Sequence, residues 1–216
     1  YLGRSGPDLT MLLGAWQAAR EGNPRMVVLR GECGNARTSV AADLALRVHA
    51  EGASVLYGRW DAGVDGPCQA IREALGVYAD GCSVQMLRSD LEGRAGEIGR
   101  LLPDVGTRIG TRLPPVPAPA PGTLEDEPVR LFEAVEAWLR AIARRRPTLL
   151  VLDDAHRADR TSVHLLDHLR HARVVLPLLT VVTVSPPDHE SGEAAEAFAT
   201  VFDEPDAADL DTIDLP

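Results

Sequence analysis

The chain has 216 residues, of which 45% are hydrophobic and 25% are charged, a composition typical of one globular α/β domain. Its formal net charge is −10 at pH 7, which argues against a nucleic-acid-binding surface, because such a surface needs clustered basic residues. The 22 basic residues are all Arg, so no site in this chain uses a lysine.

Three cysteines (Cys33, Cys68 and Cys82) are scattered without CxxC spacing. Their odd number and spacing argue against a disulfide scaffold and against a structural zinc site. We therefore expect a cytoplasmic protein, and the sequence contains no signal-peptide pattern and no apolar run long enough to cross a bilayer. The chain begins at Tyr1 rather than Met, so we expect a fragment of a longer multidomain protein.

The N-terminal quarter of the chain predicts alternating helices and strands. Asp8 is a candidate N-cap for a helix with apolar residues at helical spacing, which ends before Gly22-Asn23-Pro24. The elements that follow are a buried strand at 26–29, a loop at 31–38, a helix at 38–50 and a strand at 54–57. The order strand, helix, strand predicts a parallel sheet with a right-handed crossover.

The rest of the chain predicts further helices and strands. They are a loosely helical region at 67–110, an amphipathic helix at 127–146, a buried strand at 149–152, a helix at 160–172, a buried strand within 174–184 and an edge strand at 210–215. The fold class is therefore α/β, a three-layer sandwich with a mainly parallel sheet of about five strands and helices on both faces.

We interpret residues 1–216 as one domain with two unusual segments. The proline-rich stretch 113–123 is predicted to be an extended linker or loop. Residues 188–216 contain ten acidic residues and no Arg, which favours a solvated terminal segment over an acidic binding tail.

The loop after the first strand is close to the phosphate-binding pattern G-x-x-x-x-G-K-[ST]. In this chain Gly31, Gly34 and Thr38 fit the pattern, whereas Ala36 replaces the second glycine and Arg37 replaces the lysine. A Cβ at position 36 crowds a phosphate or forces an unfavourable backbone, and a guanidinium is bulkier than an ammonium. The loop therefore predicts a degenerate phosphate site with doubtful binding of ATP or ADP.

Asp153 and Asp154 follow the apolar run 149–152, at the carboxyl end of a predicted strand, where open α/β sheets bind their ligands. In a P-loop protein the first acid binds Mg²⁺ together with the loop threonine (here Thr38), and the second orients the attacking water. Asp153 and Thr38 are thus the candidate metal ligands, and Asp154 is a vestigial catalytic candidate. The alternative is that two acids simply end a strand, which the phosphate-like loop upstream disfavours.

Several segments resemble the AAA-type ATPase domain of signal-transduction ATPases with numerous domains (STAND), found in LuxR-type, antibiotic-regulatory or cyclase-associated bacterial regulators. The segments are Leu2-Gly3-Arg4, RMVVLRGECG, VLYGRWDAG and LLVLDDAHRAD. The resemblance implies that Gly3 and Arg4 lie near the adenine. It implies that the loop residues face the phosphates and Mg²⁺; these are Gly31, Gly34, Asn35, Ala36, Arg37 and Thr38.

The same resemblance exposes two further departures from the family. Arg157 stands where the family has a Trp, and Thr183-Val184-Ser185 lacks the arginine that the family often has after this strand. The implied partners are the other domains of a parent regulator, together with self-association. Neither direct nucleic-acid binding nor membrane binding is expected of this domain.

Two other groups of residues are candidate sites. His164, His168 and His171 lie at i, i+4 and i+7 of a predicted helix, where they form either a metal site or, as we prefer, a solvated helix surface. Cys33 lies in the phosphate-like loop near a helix N-terminus, as either a reactive thiol or, as we prefer, a plain small residue.

The sequence leaves three hypotheses for function. The first, which we prefer, is a non-catalytic ATPase-type scaffold within a signalling or transcriptional regulator, because the loop lysine, the loop glycine and the family's arginine are all missing. The second is a slow ATP-binding switch that uses Arg37, based on the intact Thr38, Asp153 and Asp154. The third is a pure protein-interaction module.

Overall fold

Five parallel strands form one sheet in the order β2–β3–β4–β1–β5. They are β1 (Arg25–Arg30), β2 (Ser54–Arg59), β3 (Thr148–Asp153), β4 (Leu178–Val184) and β5 (Leu210–Asp214). The structure, a computed structural model, describes residues 7–31, 34–61, 66–110, 126–172, 176–185, 193–202 and 210–215. Each pair of neighbouring strands is parallel, so the prediction of a mainly parallel sheet is confirmed, including its last edge strand.

Helices cover both faces of this sheet. One face carries α1 (Pro7–Arg20) and α2 (Gly34–Ala50). The other face carries α3 (Gln69–Asp80), α4 (Val84–Asp90), α5 (Ala95–Leu101), α6 (Pro103–Ile109), α7 (Asp126–Arg145), α8 (Arg160–His171) and α9 (Glu193–Phe202). The predicted three-layer α/β sandwich is therefore confirmed.

Alternate residues of each central strand supply the two halves of the core. On β3, Leu149 and Val151 pack toward α1 and α2, whereas Leu150 and Leu152 pack toward the larger helical layer. Successive side chains of a strand point to opposite faces, and a parallel sheet covered on both faces needs apolar residues on both. The continuous apolar run 149–152 is explained by this double burial.

Two helix boundaries differ from the sequence prediction. Helix α1 begins at Pro7, so Asp8 lies in its first turn and is not the N-cap; proline is well suited to a first helical position. Helix α2 begins at Gly34 rather than at Thr38, because Ala36 and Arg37 are good helix formers and continue the helix backward into the loop.

The acidic C-terminal stretch is only partly the solvated segment that its composition suggested. Within it, Phe198 and Phe202 of α9 are buried and stack with ring centroids 4.4 Å apart. Ile213 and Leu215 are buried beside β1. Net charge alone did not reveal these apolar contacts. The proline-rich segment 113–123 lies outside the described residues.

Across the described helices, none combines the length and apolar character that crossing a membrane requires.

Replacing Gly58 by Ala should destabilise the protein strongly, because a Cβ there would lie 1.8 Å from the carbonyl oxygen of Ala70 on α3. We expect the free energy of unfolding to fall by about 3 kcal/mol, since α3 has to move away from β2. Urea denaturation followed by circular dichroism measures this change. The control is Gly14→Ala in the exposed part of α1, where a Cβ meets nothing within 4 Å, and it should stabilise the protein by up to about 1 kcal/mol. Equal stability of the two variants would contradict the close approach of α3.

Candidate functional site

The carboxyl edge of the sheet brings together polar side chains from β2, β3 and β4. Tyr57, Arg59, Asp153 and Thr183 all have odd residue numbers, and the apolar side chains at odd-numbered positions of the same strands pack toward α2. Because the three strands are parallel and in register, with Arg59 opposite Asp153, their odd-numbered side chains meet at the end of the sheet nearest the start of α2. We call these four residues, together with Arg37, Thr38, Asp154 and Ser185, the strand-end cluster.

Asp153 accepts hydrogen bonds from three hydroxyl groups. Thr38 Oγ1 lies 3.2 Å from its Oδ2, Tyr57 Oη lies 3.1 Å from the same atom, and Thr183 Oγ1 donates to its Oδ1. The carboxylate is only 2% exposed, so these donors offset much of the cost of removing its charge from water. The predicted pair of metal ligands, Thr38 and Asp153, is therefore in direct contact.

The side chain of Arg37 points into the interior of the protein. Its side chain is 3% exposed, Nη1 donates to the carbonyl oxygen of Gly31, and Nη2 donates to Ser185 Oγ at 2.7 Å. Nη2 also lies 3.8 Å from Asp154 Oδ1, whereas Nε is buried without a partner among the described residues. The residue at the lysine position of the loop thus links the ends of β1 and β4.

Asp154 is held by two arginines and by the backbone. Arg59 Nη2 lies 2.9 Å from its Oδ2, Arg37 lies near its Oδ1, and its own N–H donates to Thr183 Oγ1 at 2.9 Å. The Asp154 carboxylate raises the pKa of Arg59 above its usual range. Asp154 has a φ of 62°, in the left-handed region that Asp tolerates better than most residues. The predicted water-orienting acid is therefore an ion-pair partner.

Burial and the negative charge of Asp153 raise the pKa of Tyr57 to about 12. The phenol therefore keeps its proton well into the alkaline range, and it is a hydrogen-bond donor to the carboxylate. Its side chain remains 42% exposed, because β2 is an edge strand of the sheet.

The structure describes only some of the remaining predicted site residues. Gly3, Arg4 and Cys33 lie outside the described residues. Gly34 and Asn35 form the first turn of α2. Ala36 follows them in the helix and is absent from the non-glycine residues with positive φ in the described chain. The proposed backbone strain at position 36 is therefore wrong, and crowding of a phosphate by the Cβ is the remaining physical argument.

Four members of the cluster were not predicted from sequence: Tyr57, Arg59, Thr183 and Ser185. The alternation of side chains along a strand could have indicated them. A strand with apolar residues 179 and 181 on one face places residue 183 on that face too. That signal becomes useful only when the neighbouring strands are known. Ser185 was noted solely because the segment lacks the family's arginine.

A short 3-10 helix, Ala155–Arg157, closes one side of the cluster. His156 Nδ1 lies 3.4 Å from the backbone nitrogen of Ser185 and 4.0 Å from Asp154 Oδ1. Arg157 donates to His156 Nε2 at 3.2 Å and is exposed.

The metal candidate on α8 finds no support in the described part of the chain, and the thiol candidate, Cys33, lies outside that part. No group of three or more His, Cys, Asp or Glu residues is arranged there to hold a metal ion. Cys68 and Cys82 are free and buried, and burial raises the pKa of Cys68 to about 12, so this thiol is a poor nucleophile.

The donor set fits Mg²⁺ better than it fits a nucleotide. The Thr38 hydroxyl and the Asp153 carboxylate are oxygen ligands of the kind that Mg²⁺ prefers. The guanidinium of Arg37 does not fit a phosphate-facing role in this conformation, because it is buried and bonded to Gly31 and Ser185. Two arginines and two aspartates balance to zero formal charge within the cluster.

Comparison with known sequence families identifies the class of protein that this fold and site define. Residues 3–182 match the family described as AAA ATPase domain. The chain therefore belongs to this family. The family indicates nucleotide and Mg²⁺ binding in general. A search among curated proteins finds no significant match.

Comparison with solved structures gives only distant likenesses. A STAND protein with a tetratricopeptide repeat sensor from Pyrococcus horikoshii is 15% identical, with a TM-score of 0.43 over 100% of this chain and 23% of that one. A Drosophila ORC chain bound to DNA is 9% identical, with a TM-score of 0.43 over 96% of this chain and 89% of that one. A second Drosophila ORC structure, with GC-rich DNA and Cdc6, is 11% identical, with a TM-score of 0.44 over 96% of this chain and 54% of that one. Scores this low carry no functional argument. The P-loop NTPase-like α/β fold stands on the parallel sheet and the family match.

Replacing Arg37 by Ala should destabilise the fold, because it leaves the Gly31 carbonyl and Ser185 without their donor and Asp154 with one cation fewer. We expect a loss of about 2–4 kcal/mol in the free energy of unfolding, measured by urea denaturation. The matched control is Arg47→Ala, an exposed arginine on the same helix, which should change stability by less than about 0.5 kcal/mol. Equal effects of the two changes would contradict a buried linking role for Arg37.

The Tyr57 phenol should titrate near pH 12, and Asp153→Asn should lower its pKa toward the ordinary value of 10.0 because a negative neighbour is removed. Burial keeps the pKa above the ordinary value even in that variant. Nuclear magnetic resonance of ring-labelled tyrosine measures both values, with Tyr78, whose pKa burial also raises to about 12, as the internal reference.

The same shift makes stability depend on alkaline pH. A raised folded-state pKa contributes stability that is complete below the unfolded-state value and is lost as pH rises from about 10 to about 12. The fall in unfolding free energy across this window should be smaller in Tyr57→Phe. If the unfolding free energy fell equally in the unchanged protein and in Tyr57→Phe, the raised pKa of Tyr57 would be contradicted.

Proposed function

We propose that this chain is a degenerate ATPase-type domain of a bacterial signalling or transcriptional regulator, non-catalytic, with weak or lost ATP binding, and acting as a regulatory scaffold. The observation that carries the proposal is the position of Arg37, whose guanidinium is buried and bonded to Gly31 and Ser185. A cation committed to protein acceptors supplies little to a terminal phosphate, and such charges usually contribute a large part of binding and rate.

The second acid supports the same proposal. A carboxylate that orients an attacking water needs a free oxygen lone pair aimed at the water. Both oxygens of Asp154 face arginines, Oδ2 at 2.9 Å from Arg59 and Oδ1 at 3.8 Å from Arg37. Hydrolysis would require breaking these ion pairs as well as freeing the loop cation.

As a scaffold, this domain would relay contacts between the other domains of a longer cytoplasmic regulator and would support self-association, without touching nucleic acid itself. The net charge of −10 supports the last point, because it opposes the approach of a phosphate backbone.

A slow ATP-binding switch is the second candidate, and one observation favours it. Thr38 Oγ1 lies 3.2 Å from Asp153 Oδ2, and both side chains offer oxygen atoms of the kind that bind Mg²⁺. If Arg37 exchanged its internal acceptors for phosphate oxygens, the same site would bind Mg·ATP.

Calorimetric titration with Mg·ATP up to about millimolar concentration separates the two candidates. We expect no saturable heat from the unchanged chain, and we expect binding to appear in the double variant Ala36→Gly with Arg37→Lys. Adding Asp153→Ala to that double variant should remove the binding again, because the metal ligand is lost. The matched control adds Asp104→Ala, which removes an exposed carboxylate on α6, to the same double variant. This change should leave the binding of Mg·ATP unchanged.

Saturable binding by the unchanged chain, abolished by Asp153→Ala, would overturn the degenerate-site proposal and establish the switch. Urea denaturation of each variant confirms that it is folded before the titration.

A further inference from the structure

Two hydroxyl groups of the strand-end cluster donate to the same oxygen of Asp153. Thr38 Oγ1 lies 3.2 Å from Asp153 Oδ2, and Tyr57 Oη lies 3.1 Å from it. Thr38 is the partner that the phosphate-like loop supplies, whereas Tyr57 is on β2 and belongs to neither the loop nor the acid pair. The function proposed above gives this phenol no role.

The other oxygen of Asp153 faces a donor that the backbone holds in place. Thr183 Oγ1 accepts the N–H of Asp154 at 2.9 Å. Its single hydroxyl hydrogen is therefore left for Asp153 Oδ1, to which it donates. Because Thr183 is fully buried, an ion from solvent does not reach the carboxylate from this side.

The side of the carboxylate nearest to solvent is the Oδ2 side. Both residues that donate to Oδ2 are exposed, Tyr57 by 42%, although Asp153 itself is only 2% exposed. Tyr57 has this exposure because β2 is an edge strand of the sheet. Its hydroxyl group therefore occupies the oxygen that a cation from solvent approaches.

A hydroxyl hydrogen and a metal ion compete for the same lone pairs. A carboxylate oxygen that binds Mg²⁺ gives a lone pair to the ion, and the phenol of Tyr57 already uses one lone pair of Oδ2. Thr38 suits both states, because its own oxygen binds the ion when its hydrogen turns away. The neutral phenol of Tyr57 instead has to leave Asp153 before a cation binds there.

We propose that Tyr57 excludes divalent cations from Asp153 by holding Oδ2 with its own hydroxyl hydrogen. Tyr57 is a positioning residue, since it acts through the carboxylate. The inference rests on the proposed function, in which the site no longer serves Mg·ATP. It assigns the loss of metal binding to Tyr57, beside the loss of phosphate binding at Ala36 and Arg37.

The probe is Mn²⁺, which prefers the same oxygen ligands as Mg²⁺ and gives an electron paramagnetic resonance signal that reports the free ion. The complete 216-residue chain is titrated at neutral pH without nucleotide. We expect Tyr57→Phe to bind Mn²⁺ at least about tenfold more tightly than the unchanged chain does. The reason is that the change removes a hydrogen bond from the metal-free state alone.

The matched control is Tyr78→Phe, which removes a phenol from α3 on the opposite face of the sheet. This change should leave the Mn²⁺ affinity as it is in the unchanged chain. Circular dichroism melting verifies that each variant is folded. Mg²⁺ added to the Tyr57→Phe variant should displace the bound Mn²⁺.

A third variant locates the ion. Adding Asp153→Asn to Tyr57→Phe should remove the gain in Mn²⁺ affinity, because a neutral amide replaces the carboxylate. A purely structural role for Tyr57 predicts a different pattern. In that case Tyr57→Phe lowers the free energy of unfolding and does not tighten the binding of any ion.

Three results contradict the proposal. They are equal Mn²⁺ affinity of the unchanged chain and Tyr57→Phe, equal tightening by Tyr78→Phe, and tightening that persists when Asp153→Asn is added. Since no nucleotide is present, the outcome is independent of the calorimetric test. Binding of Mg·ATP by the unchanged chain contradicts the proposed function, whereas the ratio of the Mn²⁺ affinities decides the role of Tyr57.

Discussion

The guanidinium of Arg37 is the interaction on which the rest of the site depends. A buried cation is costly unless it is hydrogen-bonded and paired, and this one takes its acceptors from three separate places in the sheet. The Gly31 carbonyl ends β1, Ser185 follows β4, and Asp154 follows β3. Because β4 lies between β1 and β3, one side chain at the start of α2 fixes the ends of three adjacent strands.

The consequence is a site whose charges balance within the protein. Asp154 is shared between Arg37 and Arg59, and Asp153 is surrounded by the hydroxyl groups of Thr38, Tyr57 and Thr183. In a working phosphate site the loop cation and the metal meet the charge of the nucleotide. Here internal partners fulfil those roles, which is why we propose a scaffold whose strand ends stay connected without a ligand.

Arginine is also used at the surface of α7 and α8. There Arg140 donates to Glu136 and Arg170 Nη2 lies 2.8 Å from Asp167 Oδ1, whereas Arg160 is exposed. The same residue type is therefore used in two ways, with Arg37 buried and committed to the fold and Arg160 exposed at the surface.

The sequence by itself determined the α/β class, the parallel sheet and the pairing of Thr38 with Asp153. Strand periodicity, strand–loop–helix order and motif spacing are local or nearly local signals. Only the tertiary structure decided the direction of Arg37, the hydroxyl partners of Asp153 and the burial of α9. These contacts join residues far apart in the chain, such as Arg37 and Ser185 across 148 positions or Tyr57 and Asp153 across 96. They depend on which strands are neighbours, because a side chain's partner in a sheet is set by strand order and register, and neither is encoded in local periodicity.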